Sequence, residues 1–387
     1  MIKNEFAELR RRWKNEYNAV STVYGYYINA NKDIISTFDT SLGLMEPSEV
    51  EIYLNVLKKT ISGTIGKNLI DIPFSMDQVS GSEEHELLMK LKDSQLKDED
   101  ARMALVEKII PNVSFDEDNF LILMAADAYD LAYRDSNLED MSEGGSEVYK
   151  YFICCVCPVK PSKLKLQYDN EDGSFHSTAT GQVAATPELG FMFPAFDDRT
   201  TNIYNAVFYT KKPAFVYQEV IQQVFNLEKL PMSAPKQKDE FQSVVAETLE
   251  DECSFQVIRK LNESIRDKIE NHKIEKIPEN LEMTIGQIGD ILTSSGASDD
   301  KVSAFTQECE NRFGKFAVLQ PANIIEPKKF NVETPEIKIT VAPENSHLLR
   351  TGTIGGSRYI LVPAGEGVEI NGLHVSVDQL DEIDEIE

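Results

Sequence analysis

Apolar side chains recur along this chain at two periods, and the switch between them predicts its elements. Ile2, Phe6, Leu9, Trp13 and Tyr17 fall at three- and four-residue steps, the spacing of one helix face, with Arg10, Arg11, Arg12 and Lys14 opposite. Residues 20–28, rich in β-branched and aromatic side chains, predict a strand, 29–33 a turn and 34–38 its partner strand. Pro47 suits the first turn of a helix, where its missing N–H costs nothing, and Val50, Leu54, Leu57 and Ile61 form that helix's buried stripe. Helices follow near 83–91 and 99–110, the second stopped by Pro111.

The middle of the chain reads as β-rich. Residues 120–126 form an unbroken apolar run, as expected of a strand buried on both faces. Residues 148–157, 163–168, 189–193 and 203–209 predict further strands, and Leu164, Leu166 and Tyr168 alternate with polar neighbours, so one face of that strand meets solvent. Helices are predicted over 215–225, 238–249 and 254–270, the last capped by Ser254. Residues 271–282 are charged, contain Pro278 and show little periodicity, which marks a linker. A helical hairpin follows. Thr284 and Gln287 form a capping box, Gly296 stops the first helix, Ser298 caps the second and Gly314 ends it. From residue 330 the period is two. Gly355-Gly356 and Asn371-Gly372 separate short apolar runs, the pattern of a β-meander.

The predicted fold class is therefore α+β: a mixed central sheet with flanking helices, a helical hairpin and a small C-terminal β-meander. The predicted organisation is 1–118 as a mixed α/β region, 119–270 as a β-rich core with its helices, 271–283 as linker, 284–314 as hairpin, 315–377 as meander and 378–387 as an acidic disordered tail.

Composition narrows the function classes. The 387 residues carry a formal charge of −26, from 65 acidic and 39 basic side chains, which excludes broad coating of nucleic acid. The acidic excess is concentrated over 83–118 and in the closing stretch, where Asp378, Asp381, Glu382, Asp384, Glu385 and Glu387 have no basic neighbour. Residues 10–14 and 58–67 are locally basic, so a local phosphate contact stays open. A hydrophobic content of 41% excludes wholesale disorder. The opening residues have no apolar signal core, and the longest apolar runs fall short of the roughly 20 residues a membrane span needs. Five cysteines in this length are no disulfide framework, so a cytoplasmic protein with reduced thiols is expected.

Several segments together resemble a known family. They are Glu8-Leu-Arg-Arg-Arg-Trp with Tyr24-Gly-Tyr-Tyr, then Lys58-Lys-Thr-Ile-Ser-Gly-Thr-Ile-Gly-Lys-Asn-Leu-Ile-Asp, then Cys154-Cys-Val-Cys-Pro-Val-Lys. Pro187-Glu-Leu-Gly-Phe-Met-Phe-Pro-Ala-Phe-Asp-Asp-Arg-Thr-Thr-Asn-Ile-Tyr is the most distinctive, and Phe241-Gln-Ser-Val-Val-Ala-Glu-Thr-Leu and Val368-Glu-Ile-Asn-Gly complete the series. In this order the chain, over about residues 1–377, resembles an uncharacterised bacterial family, a domain of unknown function found mainly in anaerobic Gram-positive lineages. The resemblance implies a bacterial cytoplasmic protein and no particular activity.

Four places invite chemistry. Gly63, Gly66 and Lys67 suggest a phosphate loop, but only Thr64 and Ile65 separate the glycines, where a Walker loop needs four residues, and Asn68 stands where Ser or Thr should hold Mg²⁺. What survives is a basic turn that exposes amides to one phosphate group. Cys154, Cys155 and Cys157 lack the second ligand pair zinc requires; on a strand Cys155 and Cys157 share a face, and buried thiols are the better account. Asp197, Asp198 and Arg199 end an apolar run abruptly. They read either as a hairpin tip or as a cation or anion site, with Asp carboxylates on a metal or Arg199 clamping a phosphate. Arg11 and Arg12, beside Trp13, can contact phosphate or simply form a solvated face.

No nucleophile elbow, zinc-protease motif or dinucleotide fingerprint occurs, and the five histidines lie singly among polar residues. The reading therefore leans away from an enzyme, expects no cofactor and no metal, and favours a non-enzymatic cytoplasmic binding or adaptor protein with a protein partner. An RNA- or ribosome-associated factor using the basic N-terminal surface is the first alternative. A metal-dependent phosphoesterase centred on Asp197, Asp198 and Arg199 is the second. No membrane is expected, and the oligomeric state is not read from the sequence.

Overall fold

The computed structural model describes residues 1–14, 20–115, 119–131, 147–161, 165–169, 173–178, 181–227, 230–277, 279–364, 367–376 and 385–386. Tyr17, Lys163, Leu164, Pro278 and residues 378–384 and 387 of the acidic stretch, all named above, lie outside them. Two compact units emerge, one of residues 1–235 with 278–280, the other of 236–277 with 281–387.

The first unit is organised by an unbroken apolar run that pairs on both sides. Strand β4 (Asn119–Leu131) runs antiparallel to β5 (Glu147–Pro161) from Asn119↔Val159 to Leu131↔Glu147. Around this pair are β1 (Thr22–Ile28), β2 (Ile34–Ser41), β3 (Leu69–Pro73), β8 (Gln182–Ala184), β9 (Leu189–Phe193) and β12 (Asn205–Thr210). The order is β2-β1-β4-β5-β9-β12-β3, with β8 joined to β5, and every pairing is antiparallel. The sheet thus draws strands from both sides of residue 118. Two hairpins stand apart from it: β6 (Lys165–Asp169) with β7 (Ser174–Thr178), and β10 (Ala195–Asp197) with β11 (Thr200–Asn202). The predicted strand at 203–209 begins two residues late, because Ile203 and Tyr204 form the turn that joins β11 to β12; the Ile203 carbonyl meets His85 Nε2 at 2.9 Å.

Side chains alternate across the sheet into two cores, which is why the central strands read as continuous apolar runs. Ile122, Met124, Phe152, Cys154, Phe191 and Phe208 point to one side and pack under α4 (Glu83–Asp93), α5 (Glu99–Ile109) and α6 (Gln218–Phe225). Leu123, Ala125, Ile153, Cys155, Cys157 and Val207 point to the other, under α1 (Lys3–Arg12) and α2 (Pro47–Lys59). The short α3 (Met76–Gly81) links β3 to α4 and is capped by a Ser75–Gln78 box. Gly190 sits where the sheet backbone leaves no room for a side chain: a Cβ there would lie 2.6 Å from the Cys154 carbonyl oxygen and 2.8 Å from Thr60 Cγ2. Edge strand β2 leaves Ile34–Thr37 exposed; its one aromatic, Phe38, lies across from Gly25, whose missing side chain makes room for the ring.

His85 corrects the expectation of polar surroundings. It is buried, edge-on to Phe74 (4.9 Å) and Phe193 (5.6 Å), and the helix-capping Ser82 accepts its backbone amide.

In the second unit α7 (Ala234–Leu249) and α8 (Phe255–Glu275) precede the hairpin of α9 (Ile285–Ser295) and α10 (Asp299–Phe313). Helix α8 continues five residues beyond its predicted end. Glu270 and Lys273 pair along it at 2.7 Å, and only residues from 276 onward leave the helix. The Thr284–Gln287 capping box is formed. Ser298 makes no cap bond; its hydroxyl donates to Glu252 instead. Short β13 (Met283–Thr284) and β14 (Val318–Leu319) pair, and α11 (Pro321–Ile324) follows. The expected meander resolves into separate pieces: β15 (Phe330–Glu333) with β16 (Lys338–Val341), β17 (Arg350–Ile354) with β18 (Ser357–Leu361), and β19 (Val368–Ile370) with β20 (Leu373–Val375). The tight turns close each hairpin locally, while a 3₁₀ segment at 343–348 interrupts the ladder between the first two. Residues Glu385–Ile386 of the acidic stretch form β21, paired with β17. Among the described residues no helix is long and apolar enough to cross a membrane.

Candidate functional site

The structure gathers four of the six singled-out residues into one polar layer between α1 and the sheet. Asp198 and Arg199 occupy the tip of the β10–β11 hairpin with φ of 51° and 57°, the two left-handed positions of a type I′ turn. Left-handed backbone is costly for residues with a Cβ, and α1 offsets that cost. Glu5 accepts the Asp198 amide at 2.7 Å, and Glu8 takes Arg199 Nη1 at 2.6 and 2.7 Å. Asp197 accepts from Asn202 Nδ2 at 2.6 Å, and its other oxygen lies 2.5 Å from the Met1 amine. Burial holds Glu5 above the ordinary carboxylate range despite the amides of Ile2 and Asp198 that point at it.

Arg12 faces inward, contrary to a solvated arginine face. Its Nε and Nη2 donate to the two oxygens of Asp127 at 2.7 and 2.8 Å, and Nη2 also reaches the Ala128 carbonyl at 3.1 Å. The guanidinium lies 4.2 Å from the centre of the Tyr129 ring. Burial works against the Arg12 charge, but Asp127 outweighs it and holds the guanidinium above its ordinary value. Asp127, 2% exposed, also accepts from Tyr151, whose oxygen in turn accepts from Trp13 Nε1 at 2.8 Å. Tyr151 stacks on Tyr149 at 4.7 Å, and Tyr149 donates to the Pro194 carbonyl. Burial, reinforced by the nearby carboxylates, pushes both phenols well above the usual tyrosine range, so they stay neutral donors. Arg10 also turns inward, donating to the Ile61 carbonyl at 3.0 Å; Arg11 is the exposed member of the triplet.

Lys67 lies apart from this layer. The amides of Gly66, Lys67, Asn68 and Leu69 all donate within their own loop, to the Leu69 and Thr64 carbonyls. Asn68 ties the loop to β12 through the Thr210 and Lys211 carbonyls. Four successive amides are thereby committed, which removes the cradle a phosphate would use. The three clustered cysteines are fully buried, Cys154 in one core and Cys155 and Cys157 in the other. Burial raises the Cys154 thiol far above its ordinary value, and a hydrogen bond with Cys157, with burial, does the same to Cys155. Among the described residues no group of three or more His, Cys, Asp or Glu is placed to hold a metal ion.

Sequence reasoning passes over Asp127, Glu5, Glu8, Tyr149 and Tyr151. One signal was present: Asp127 follows an apolar run in a strand too hydrophobic to face water, and a buried carboxylate requires a cation.

A different kind of feature lies in the second unit. The β15–β16 and β17–β18 hairpins face each other across a cavity of about 560 Å³. Val332, Ile337, Ile339 and Ile360 line it with the Tyr359 ring, and Arg358 is its one charged group. Thr334, Thr351 and Thr353 add hydroxyls to its wall, and its volume lies in the range of small-molecule pockets.

No curated protein matches the chain. Residues 1–373 match the family described as a domain of unknown function, DUF4317, and the chain belongs to that family.

Proposed function

We propose that the chain is a non-enzymatic binding or adaptor protein, and that the cavity between the two C-terminal hairpins is its binding surface. The observation that carries this reading is that cavity, concave, with aliphatic side chains interspersed with threonine hydroxyls and a single cationic group at its wall. The side chains that looked chemical support it from the other direction. Asp197, Arg199 and Arg12 each spend their charge on an internal partner, as scaffold groups do. A reacting carboxylate or guanidinium must instead face a substrate.

The test is capture from native lysate by the full chain, by Ile339→Glu, by Tyr359→Ala and by Asp198→Ala. The expected result is a stoichiometric partner held by wild type and Asp198→Ala and lost from both cavity variants. A partner indifferent to both cavity substitutions, or none recovered by wild type, overturns the reading.

A further inference from the structure

The cavity between the two hairpins pairs an aliphatic wall with one cationic row, and the two suit different parts of a single ligand. We infer that it takes the free C-terminus of a partner protein, with aliphatic side chains against the isoleucines and the terminal carboxylate on Arg358. The inference rests on the cavity being the binding surface.

Register decides what each hairpin presents. In β15–β16 Val332 lies opposite Ile339, and Thr334 and Ile337 extend the ladder by one row, with the Thr334 amide donating to the Ile337 carbonyl at 2.8 Å. Alternate residues of a strand share a face, so these four side chains line the cavity together. In β17–β18 the matching rows are Thr351 opposite Ile360 and Thr353 opposite Arg358. The polar groups differ in what they already hold. The Thr334 hydroxyl accepts the Ile337 amide at 3.0 Å. Among the described residues, the Thr351 and Thr353 hydroxyls and the Arg358 guanidinium have no partner.

Those uncommitted groups select the occupant. A guanidinium offers two parallel N–H bonds to one carboxylate, and the cavity has no second cation, so its ligand carries a single anionic group. The chain's net charge of −26 turns away a segment rich in acid. Two free hydroxyls among aliphatic side chains suit peptide amides and carbonyls. An alkyl chain would strip water from them and return no hydrogen bond. A volume of about 560 Å³ holds a drug-sized ligand, which is a short chain end rather than a long segment. An aliphatic C-terminus meets all of these conditions, and capture of a terminal carboxylate is a recurrent mode of peptide recognition.

The test uses full chains and two pools of fluorescein-labelled peptides, read by fluorescence anisotropy. Each peptide is Gly-Ser-Gly followed by three positions randomised over Val, Ile and Leu; one pool ends in a free carboxylate, the other in an amide. Wild type is expected to bind the acid pool about tenfold or more tighter than the amide pool, the worth of a hydrogen bond to a charged group. Arg358→Gln is expected to erase that preference while binding the amide pool as wild type does; Arg358 is exposed, so the change spares the core. Ile339→Glu is expected to lose both pools. Equal affinity for the two pools, a preference that survives Arg358→Gln, decanoate binding as tightly as the acid pool, or no binding of the acid pool overturns the inference. If the acid pool fails while the cavity substitutions still abolish partner capture, the inference falls and the binding reading stands; if those substitutions also leave capture unchanged, both fall.

Discussion

Arg12→Met is the substitution that most directly weighs the polar layer under α1. It keeps most of the side-chain length and removes the cation, so Asp127 is left in a site where it is 2% exposed, with Tyr151 as its remaining side-chain donor. Breaking a buried pair by removing one partner costs roughly 3–5 kcal/mol, most of it the uncompensated charge. Arg12 itself keeps 19% of its side chain in solvent, which favours the lower end, about 3 kcal/mol. With a urea slope of about 2 kcal/mol per molar, the unfolding midpoint of the first unit should fall by about 1.5 M. Trp13 is the chain's one tryptophan and is bonded to Tyr151 in the same layer, so its fluorescence reports this unit. Replacing Asp127 by Leu in the Arg12→Met background removes the stranded charge and should restore most of the loss, leaving about 1 kcal/mol for the unpaired Tyr151 hydroxyl. If Arg12→Met moves the midpoint by less than about 0.3 M, or if the double variant is no better than the single one, the pair does not act as a buried ion pair and the argument fails.

Three further outcomes follow from positions already described. Gly190→Ala drives a methyl group against the Cys154 carbonyl and Thr60, in backbone that has no slack; it should destabilise the first unit by about 3 kcal/mol or more, seen as a lower Trp13 midpoint, whereas a wild-type midpoint would contradict the packing. Asp198→Gly should raise that midpoint by about 1 kcal/mol, because glycine occupies a left-handed φ without strain and the exposed Asp198 side chain holds nothing the hairpin needs; a loss of stability would mean its carboxylate has work the structure does not reveal. In native protein a thiol reagent should titrate one fast cysteine of the five, Cys253, with the other four reacting only on unfolding; burial, with the nearby Glu308 carboxylate, lifts Cys309 to about 12, and two or more fast thiols would refute the burial of β5 or of α10.

Much of the fold was legible because periodicity is a local property. The stripe Val50, Leu54, Leu57 predicts α2, and the run at 120–126 predicts a strand covered on both faces. The Asn371-Gly372 pair predicts its hairpin, and both residues adopt positive φ, 51° and 83°. Leu69–Pro73 was not legible, since five residues with two buried side chains carry too little pattern. The site was half legible. An Asp-rich hairpin tip is turn chemistry visible in sequence, but its partners are not: Arg199 and Glu8 stand 191 residues apart, and Arg12 and Asp127 stand 115 apart. Such pairs follow from which strand lies beside which helix, and that is decided by the packed cores rather than by any local motif. The cavity left no signature at all, because Val332, Ile339 and Ile360 are the alternating residues any hairpin would have.

Edge strand β2 carries a consequence for how the first unit wears. Apart from Phe38 it gives neither core a large buried side chain, so detaching it exposes little apolar surface. Its hydrogen bonds therefore open at a far smaller free energy than those of β4 and β5. A protease should cut the 29–37 turn and strand more readily than β4 or β5, and the nicked chain should keep both cores and the tryptophan layer. The margin of the sheet is expendable in a way its centre is not.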